Sequence, residues 1–326
     1  MGYNRDNYAR IREAYETKYK DAQNAADARR AEAEAKIEGL ALVNRQLSSV
    51  GMRIMAETLS CGGNCAERIA DIRRDNEKLL EIKRQMLINA GYPADYTDIK
   101  YECEKCMDSG FVDGYMCDCM RQELIMAGYE SSGIANLLRT QTFDSFSLDY
   151  YKSNADAYST MTTVLEYMNK YAENFKGKGS SNLLMMGGTG LGKTHLSSAI
   201  AKRIIERGYD VYYVSAINMF SGFEFAQFGR TASFTQDSPD RCFECDLLII
   251  DDLGTEMTNQ FTVATLYNLI NTRMNLGKPT VINTNLNQSE RRQRYTDRIA
   301  SRIFGEYTPL VFKGVDVRAQ KIKISK

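Results

Sequence analysis

A glycine-rich segment, GGTGLGKT, begins at Gly187 and ends in a lysine and a threonine. It follows an apolar run, NLLMM, and precedes a stretch with helical spacing, THLSSAIAKRII. Glycines in such a loop let backbone N–H groups surround phosphate oxygens, and the start of the next helix adds further donors. The sequence therefore predicts a phosphate-binding loop, or P-loop, between a strand and a helix. The predicted nucleotide-binding residues are Gly187, Gly188, Thr189, Gly190, Leu191, Gly192, Lys193, Thr194 and His195.

Individual residues of this loop have separate expected roles. Lys193 is expected to neutralise the β and γ phosphates, and the Thr194 hydroxyl is expected to ligate Mg²⁺. His195, the only histidine of the chain, follows directly. We expect it to pack at the start of the helix rather than to catalyse.

A second apolar run, LLIIDD, ends in two adjacent carboxylates, Asp251 and Asp252. Asp251 is predicted to hold Mg²⁺, directly or through water, and Asp252 to orient or deprotonate the attacking water. Two aspartates at a strand tip often form only a turn. The phosphate-binding motif upstream favours the metal-binding interpretation.

A third apolar run, TVINTN, ends in Asn285. A strand between the first two would direct Asn285 at the γ phosphate or the attacking water, and Asn283, further back in the strand, is the less favoured candidate. Beyond it, Arg298 and Arg302 in YTDRIASRIFG share one helical face. An arginine there could stabilise transition-state charge at the nucleotide of a neighbouring subunit, as an arginine finger. Surface arginines paired with nearby acidic residues are the alternative.

Four of the eight cysteines lie in one short segment, CEKCMDSGFVDGYMCDC. Their thiolates suit tetrahedral Zn²⁺, whose binding can fold a module too small for its own core. Isolated structural cysteines are the alternative. The pairs at 61 and 65 and at 242 and 245 have no second pair nearby in sequence, so we interpret them as ordinary residues. The predicted zinc ligands are Cys103, Cys106, Cys117 and Cys119.

Composition divides the chain into four segments. Residues 1–90 lack proline and have helical spacing, which predicts a helical or coiled-coil region with a turn at CGGNC. Residues 91–135 are predicted to form the zinc-binding module, and 136–180 a helical linker. Residues 181–326 alternate apolar strand-like runs with helical stretches, which predicts an α/β domain with a parallel sheet.

Net charge is formally zero, so contact with nucleic acid would depend on a local patch. The aromatic segment FSGFEFAQFGRTASF, residues 220–234, could stack unpaired bases. Packing of its phenylalanines into the core is the equally open alternative. No apolar run approaches the length of a membrane span, and no leader is recognisable. We therefore expect a cytoplasmic protein that has no membrane partner.

The segments GGTGLGKTHLSSAIA, DLLIIDDLGTE, TVINTN, DRIASRI and FKGVDVR resemble, in order and spacing, the ATPase domain of the DnaC/DnaI helicase loaders. That family is a branch of the AAA+ superfamily, and the IstB-type transposition-helper ATPases share nearly all of these motifs. The resemblance covers residues 140–326. It implies a five-stranded sheet of order 5-1-4-3-2, ATP as the nucleotide and self-assembly through the ATPase domain. It also implies a hexameric replicative helicase as partner.

The same resemblance assigns roles to further residues. Asn285 falls at sensor 1, Arg302 at the arginine finger and Arg318 near sensor 2. Asp252 stands where the superfamily usually has glutamate, a departure that bears on hydrolysis more than on nucleotide binding. The cysteine segment resembles the N-terminal region of DnaI-type loaders, which IstB-type proteins generally lack. Residues 1–135 are therefore predicted to be the helicase-binding adaptor.

The combined prediction is an ATP-dependent loader of a replicative helicase that uses ATP, Mg²⁺ and Zn²⁺ and contacts single-stranded DNA. One alternative is an IstB-like transposition-helper ATPase that acts on DNA with a transposase. Another is a nucleotide-gated adaptor that binds ATP and scarcely hydrolyses it.

Overall fold

The computed structural model describes most of the chain in two compact units. One unit is Arg12–Cys119, and the other combines Met1–Ile11 with Met120–Lys326. The segment boundaries at 90, 135 and 180 stay predictions. The described residues are 3–60, 65–229, 239–287, 289–290, 294–295, 299, 302 and 305–324.

The N-terminal part of the chain is helical, as its Ala-, Glu-, Lys- and Arg-rich composition favours. Helix α1 spans Arg5–Lys36, α2 spans Leu40–Ser60 and α3 spans Cys65–Asn89. Helices α2 and α3 pack against each other. Residues 61–64, where the turn at CGGNC is predicted, lie outside the described part of the chain.

A small hairpin follows these helices within the cysteine segment. Strands β1, Phe111–Val112, and β2, Tyr115–Met116, pair antiparallel. The two residues between them, Asp113 and Gly114, have φ values of 50° and 80°. Left-handed conformation at both positions is what the tight type I′ hairpin turn requires, and an Asp-Gly pair supplies it. Helix α4, Asp118–Ser131, begins directly after the hairpin.

The larger unit contains a five-stranded sheet in which every neighbouring pair is parallel. Its strand order is β4-β5-β6-β3-β7. Numbered one to five along the chain, this order reads 5-1-4-3-2 from the opposite edge. The predicted α/β fold of the AAA+ P-loop type is therefore confirmed. The strands are β3 Asn182–Met186, β4 Val211–Ser215, β5 Leu247–Leu253, β6 Thr280–Thr284 and β7 Tyr307–Val311.

Helices cover both faces of this sheet. Helices α6 and α7 pack on the face that carries Met185, Tyr213 and Ile249. Helices α8 to α10 pack on the opposite face, which carries Leu184 and Ile250. Because both faces are buried, the inner strands β3, β5 and β6 are buried along nearly their whole length rather than on alternate residues. The helical segments are α5 Ala135–Thr140, the 3₁₀ turn Leu148–Tyr151, α6 Ala155–Glu173, α7 Lys193–Glu206, α8 Ala216–Phe228, α9 Arg241–Glu244, α10 Gln260–Asn275 and α11 Val317–Ile324.

The aromatic segment 220–234 lies partly on helix α8. Phe220 is buried, and the Phe223 ring packs edge-on against Phe243 with centroids 5.9 Å apart. Phe225 is 43% exposed. Residues 230–234 lie outside the described part of the chain. Core packing therefore accounts for two of these phenylalanines, and Phe225 alone of the residues named here faces solvent. None of the described helices has both the length and the apolar character needed to cross a membrane.

Arg273 on α10 is completely buried. Its guanidinium donates to the Thr280 hydroxyl at 3.0 Å and to the carbonyls of Cys242, Cys245 and Pro279 at 2.9, 3.1 and 2.7 Å. Buried carbonyl groups need such donors, since water cannot reach them. This side chain therefore ties helix α10 to the segments that lead into β5 and β6, the two strands that carry the predicted acidic and amide residues.

Candidate nucleotide-binding site

The P-loop lies between β3, which ends at Met186, and α7, which begins at Lys193. Gly187 and Gly192 of this loop lie close to neighbouring groups on the chain. A Cβ on Gly187 would lie 2.6 Å from the Phe312 carbonyl oxygen, and one on Gly192, where φ is 87°, would lie 2.8 Å from the Phe146 ring. Because a side chain would not fit at either position, the close approach of the loop to its neighbours requires glycine at both.

A cavity of about 210 Å³ opens beside this loop. The predicted residues that line it are Thr189, Gly190, Leu191, Gly192, Lys193, Thr194, His195, Asp252, Asn285 and Arg318. Sequence reasoning missed the other side of the cavity, which is formed by Gln141, Ser145, Phe146, Ser147, Tyr150, Tyr151 and Val317. The aromatic residues Phe146, Tyr150 and Tyr151, which precede α6 in the sequence, were the available signal, because a nucleotide base needs an apolar wall.

Lys193 is 5% exposed, and its ammonium donates to the carbonyls of Gly187 and Gly188 at 2.7 and 2.6 Å. It also donates to the side-chain oxygen of Asn285. Burial lowers the pKa of Lys193, and the nearby carboxylates of Asp251 and Asp252 oppose that shift. The lysine is thus held among acceptors at the mouth of the loop.

Thr194 and Asp251 form the oxygen pair that a divalent cation would need. The Thr194 hydroxyl donates to Asp251 Oδ2 at 3.1 Å. Mg²⁺ prefers carboxylate and hydroxyl oxygens and keeps several of its waters. The two side chains lie on adjacent elements, α7 and β5, at the carboxyl edge of the sheet. Their chemistry and proximity fit a magnesium site.

Asp252 has a left-handed backbone, with φ of 53°. The pairing of β5 with β6 shifts register between Ile250 and Leu253, so the distortion falls on the two aspartates. Asp and Asn tolerate this conformation better than glutamate does, which gives a physical reason for aspartate here. Asp252 Oδ1 accepts a hydrogen bond from Asn285 at 3.4 Å. Burial, followed by the charge of Asp251, raises the pKa of Asp252.

The start of helix α11 touches the P-loop. The Val317 N–H donates to the Gly190 carbonyl at 3.0 Å. An added Cβ on Gly190 would lie 2.0 Å from Asp316 Oδ1. The same carboxylate oxygen accepts from the backbone N–H groups of Arg318 and Ala319 at 2.8 and 3.2 Å. These contacts bring Arg318 to the cavity wall.

His195 and Arg302 occupy different surroundings. His195 Nε2 lies 2.9 Å from the Thr142 carbonyl oxygen, and its ring meets Phe146 edge-on at 5.3 Å. Arg302 Nε donates to Asn271 at 3.1 Å, and its guanidinium lies 4.9 Å from the centre of the Tyr267 ring, both on α10. Arg302 is not among the described residues that line the cavity of its own chain. Arg298 lies outside the described residues.

The four cysteines predicted as zinc ligands form one cluster. Their Sγ atoms all lie within 4.8 Å of one another. Cys103 and Cys117 are separated by 3.9 Å, and Cys106 and Cys119 by 3.6 Å. Four thiolates around a tetrahedral zinc, with bonds of ~2.3 Å, lie roughly 3.8 Å apart. The donor set and the spacing therefore fit this metal.

The surrounding backbone supports the cluster. Asp108, which is 2% exposed, accepts from the backbone N–H of Cys103 at 2.8 Å and from that of Glu102 at 2.9 Å. Hydrogen bonds, of which the one from the Cys106 N–H has the largest effect, lower the pKa of Cys103 to about 7. Burial raises the pKa of Cys106 and of Cys119. Elsewhere in the described chain, Cys242 and Cys245 are buried core residues, as interpreted from their isolation.

A family model described as IstB-like ATP binding protein matches residues 135–304. This chain belongs to the IstB-like family. The family assignment and the P-loop fold together identify a nucleotide-binding ATPase domain. The matched range begins at α5, so it includes the aromatic segment that forms the second wall of the cavity.

Two curated proteins and one solved structure are similar to this chain. The replicative helicase loader DnaC of Escherichia coli strain K12 is 22% identical over 175 residues, which are 54% of this chain and 67% of DnaC. The chromosomal replication initiator protein DnaA of Aliarcobacter butzleri strain RM4018 is 33% identical over 135 residues, 40% of this chain and 28% of that DnaA. The chain thus spans about two thirds of the DnaC and under a third of the DnaA. The crystal structure of the DnaC helicase loader aligns with a TM-score of 0.46 at 22% identity, covering 54% of this chain and 98% of that one.

Proposed function

We propose that this chain is an ATP-dependent loader of a hexameric replicative helicase. The observation that carries the proposal is the four-cysteine cluster, which lies with the helical N-terminal region and outside the IstB-like ATPase match. Such a cysteine-bearing region resembles the helicase-binding part of DnaI-type loaders. The similarity to the DnaC loader supports the same assignment. Residues 1–135 are then the adaptor, and the ATPase domain binds ATP and single-stranded DNA.

In this proposal the cavity beside the P-loop holds ATP. Lys193 neutralises the β and γ phosphates, and the loop N–H groups bind their oxygens. Thr194 and Asp251 would hold Mg²⁺, which supplies further neutralisation of phosphate charge when bound. Asp252 and Asn285, already in contact at 3.4 Å, orient the attacking water. Arg318 faces the phosphates from the start of α11.

The cysteine cluster has a structural role in the proposal. Cys103, Cys106, Cys117 and Cys119 would hold Zn²⁺, which would stabilise a module made of two-residue strands and short turns. Such a module buries little apolar surface of its own.

Capture of a partner tests the proposal. The full chain is immobilised with ATP and Mg²⁺ and exposed to extract of the source cells. A replicative helicase should be retained by the wild type and by Cys242→Ala. The double variant Cys103→Ser/Cys117→Ser should lose it. Capture of a transposase, with no helicase, would refute the loader assignment.

A transposition-helper ATPase is the second candidate, because the matching family model is the IstB-like one. It shares the nucleotide site and differs in partner, so the same capture experiment separates the two. A nucleotide-gated adaptor is the third candidate. It would bind Mg²⁺ and ATP and release almost no phosphate, even with helicase and single-stranded DNA present.

A further inference from the structure

The Asp251 carboxylate accepts hydrogen bonds from two buried side chains. The Tyr213 hydroxyl donates to Asp251 Oδ2 at 2.8 Å, and the Asn283 amide donates to Oδ1 at 2.7 Å. Tyr213 is 5% exposed and Asn283 is completely buried. Neither is among the described residues that line the nucleotide cavity. Neither therefore lies against a nucleotide in this cavity, and Asp251 is the candidate metal ligand that both contact.

The strand order creates this arrangement. Strand β5, which carries Asp251, lies between β4 with Tyr213 and β6 with Asn283. Ser215 pairs with Asp251, so Tyr213, two residues earlier on β4, points to the same face of the sheet. Tyr212 points to the opposite face, where its ring lies 5.2 Å from the Arg241 guanidinium.

The directions of the hydrogen bonds are fixed by the available protons. A carboxylate can only accept, so Tyr213 and Asn283 must each donate to Asp251. The second proton of the Asn283 amide points to Ser197 Oγ at 2.9 Å. Ser197 in turn contacts the Tyr213 oxygen at 2.9 Å and the Thr194 carbonyl at 3.1 Å. The network therefore joins β4, β6 and the P-loop helix at one carboxylate.

The Asn283 side chain is costly to bury. Its amide oxygen has no hydrogen-bond partner in the described part of the chain, and an unmatched buried acceptor reduces stability. An apolar residue would pack here without that cost. What asparagine adds is the donor to Asp251, so the value of this residue lies in the orientation of the carboxylate.

We infer that Tyr213 and Asn283 are positioning residues that orient the Asp251 carboxylate for the divalent cation shared with Thr194. The inference rests on the proposed nucleotide site. With both donors in place, the carboxylate keeps one orientation and the cation meets a prepared ligand. When one of these donors is lost, the carboxylate keeps the other donor, the Thr194 hydroxyl and the Asp252 N–H, but its orientation is less restricted and cation binding must restrict it further.

The test is the Mg²⁺ dependence of nucleotide binding by the full chain. A fluorescent ATP analogue is titrated at fixed Mg²⁺ concentrations, and a parallel series contains EDTA. Tyr213→Phe should raise the half-saturating Mg²⁺ by about tenfold, because a hydrogen bond to a charged group is lost. Its binding in EDTA should match the wild type. Tyr212→Phe, the matched control on the opposite face, should keep the wild-type Mg²⁺ requirement.

Asn283→Leu removes the other donor at similar volume and should shift the Mg²⁺ requirement in the same direction. Thermal unfolding in EDTA checks that each variant is folded before binding is compared. A wild-type Mg²⁺ requirement in Tyr213→Phe, or equal shifts in Tyr213→Phe and Tyr212→Phe, would overturn the inference. Absence of Mg²⁺-dependent binding in the wild type would instead overturn the proposed nucleotide site itself.

Discussion

The ammonium of Lys193 donates a hydrogen bond to the side-chain oxygen of Asn285. The residue that would bind the phosphates and the residue at the predicted sensor position are thus in direct contact. Lys193 also donates to two loop carbonyls. A bound γ phosphate would compete for the same ammonium. Its binding would therefore change the hydrogen bonding of Asn285 and, through Asn285, that of Asp252.

Lys193→Ala should abolish ATP binding, because the P-loop would lose the charge that offsets the phosphates. Isothermal titration with ATP and Mg²⁺ measures this. Lys202→Ala, on the same helix, is the control and should bind as the wild type does. The far-ultraviolet circular dichroism of both variants should be unchanged. Normal ATP affinity in Lys193→Ala would show that the site is wrongly assigned.

The purified chain should carry about one zinc ion per molecule, as a site of four thiolates predicts. Cys103→Ser should release most of the metal and lower the unfolding temperature of the N-terminal region. Cys242→Ala should retain it, since that cysteine lies in the core of the ATPase. Atomic emission of freshly purified, unchelated protein measures the content, and a metal-free wild type would refute the zinc site.

Arg302→Ala should leave nucleotide affinity unchanged and reduce ATP hydrolysis that is stimulated by assembly or by single-stranded DNA. The hydrogen bond and the cation–π contact of Arg302 both go to α10, and Arg302 is not among the described residues that line the cavity of its own chain, so its expected target is the nucleotide of a neighbouring copy. Phosphate release at increasing protein concentration measures the effect.

Mixing provides the control for a shared site. Arg302→Ala combined with Asp252→Asn should recover part of the stimulated activity, because some interfaces then contain an intact aspartate and an intact arginine. Full stimulated hydrolysis by Arg302→Ala alone would reject the finger assignment and leave Arg298 as the candidate.

Asp252→Asn should raise stability at neutral pH in nucleotide-free protein while it lowers ATP hydrolysis. Burial and Asp251 raise the pKa of Asp252 in the fold, so the ionised carboxylate disfavours the folded state above that pKa. The neutral amide removes this cost and tolerates the left-handed backbone. The gain should shrink as the pH falls towards about 4, where the unfolded carboxyl also becomes protonated. Urea unfolding at several pH values tests the sign.

Arg273→Met should lower the free energy of unfolding by about 3 kcal/mol or more, because several buried carbonyls would lose their donors together. Arg203→Met, at a half-buried surface position on α7, should change it by no more than about 0.5 kcal/mol. Denaturant titration compares the two. Equal changes in the free energy of unfolding for the two variants would mean that the hydrogen bonds of the buried guanidinium do not stabilise the fold.

The sheet and the P-loop were predictable because their signals are local. Five continuous apolar runs marked the strands, and the glycines with Lys193 marked the loop. The contact between Tyr213 and Asp251 was only partly predictable. The expected strand order makes their strands neighbours, but the face of Tyr213 depends on register, which no local pattern in DVYYVSA reveals. Asn283 is the less favoured candidate in the sequence because it lies further back inside its strand.

Other features arise from tertiary contacts between distant segments. The left-handed backbone of Asp252 coincides with a shift in the pairing of β5 and β6, and the sequence LLIIDD reads as a regular strand. The burial of Arg273 was also hidden, since arginine is usually a surface residue. The aromatic wall at residues 141–151 falls inside the predicted helical linker 136–180, and its role depends on the distant loop that it faces.

The proximity of Asp316 to Gly190 connects helix α11 to the P-loop, although the two are far apart in sequence. Helix α11 cannot lift away without breaking the hydrogen bond from Val317 to the Gly190 carbonyl, and the Asp316 carboxylate occupies the space that a side chain on Gly190 would need. A protein that bound to α11 and displaced it would therefore also displace the phosphate-binding loop. Binding of a partner to α11 would then change the affinity of the P-loop for a nucleotide.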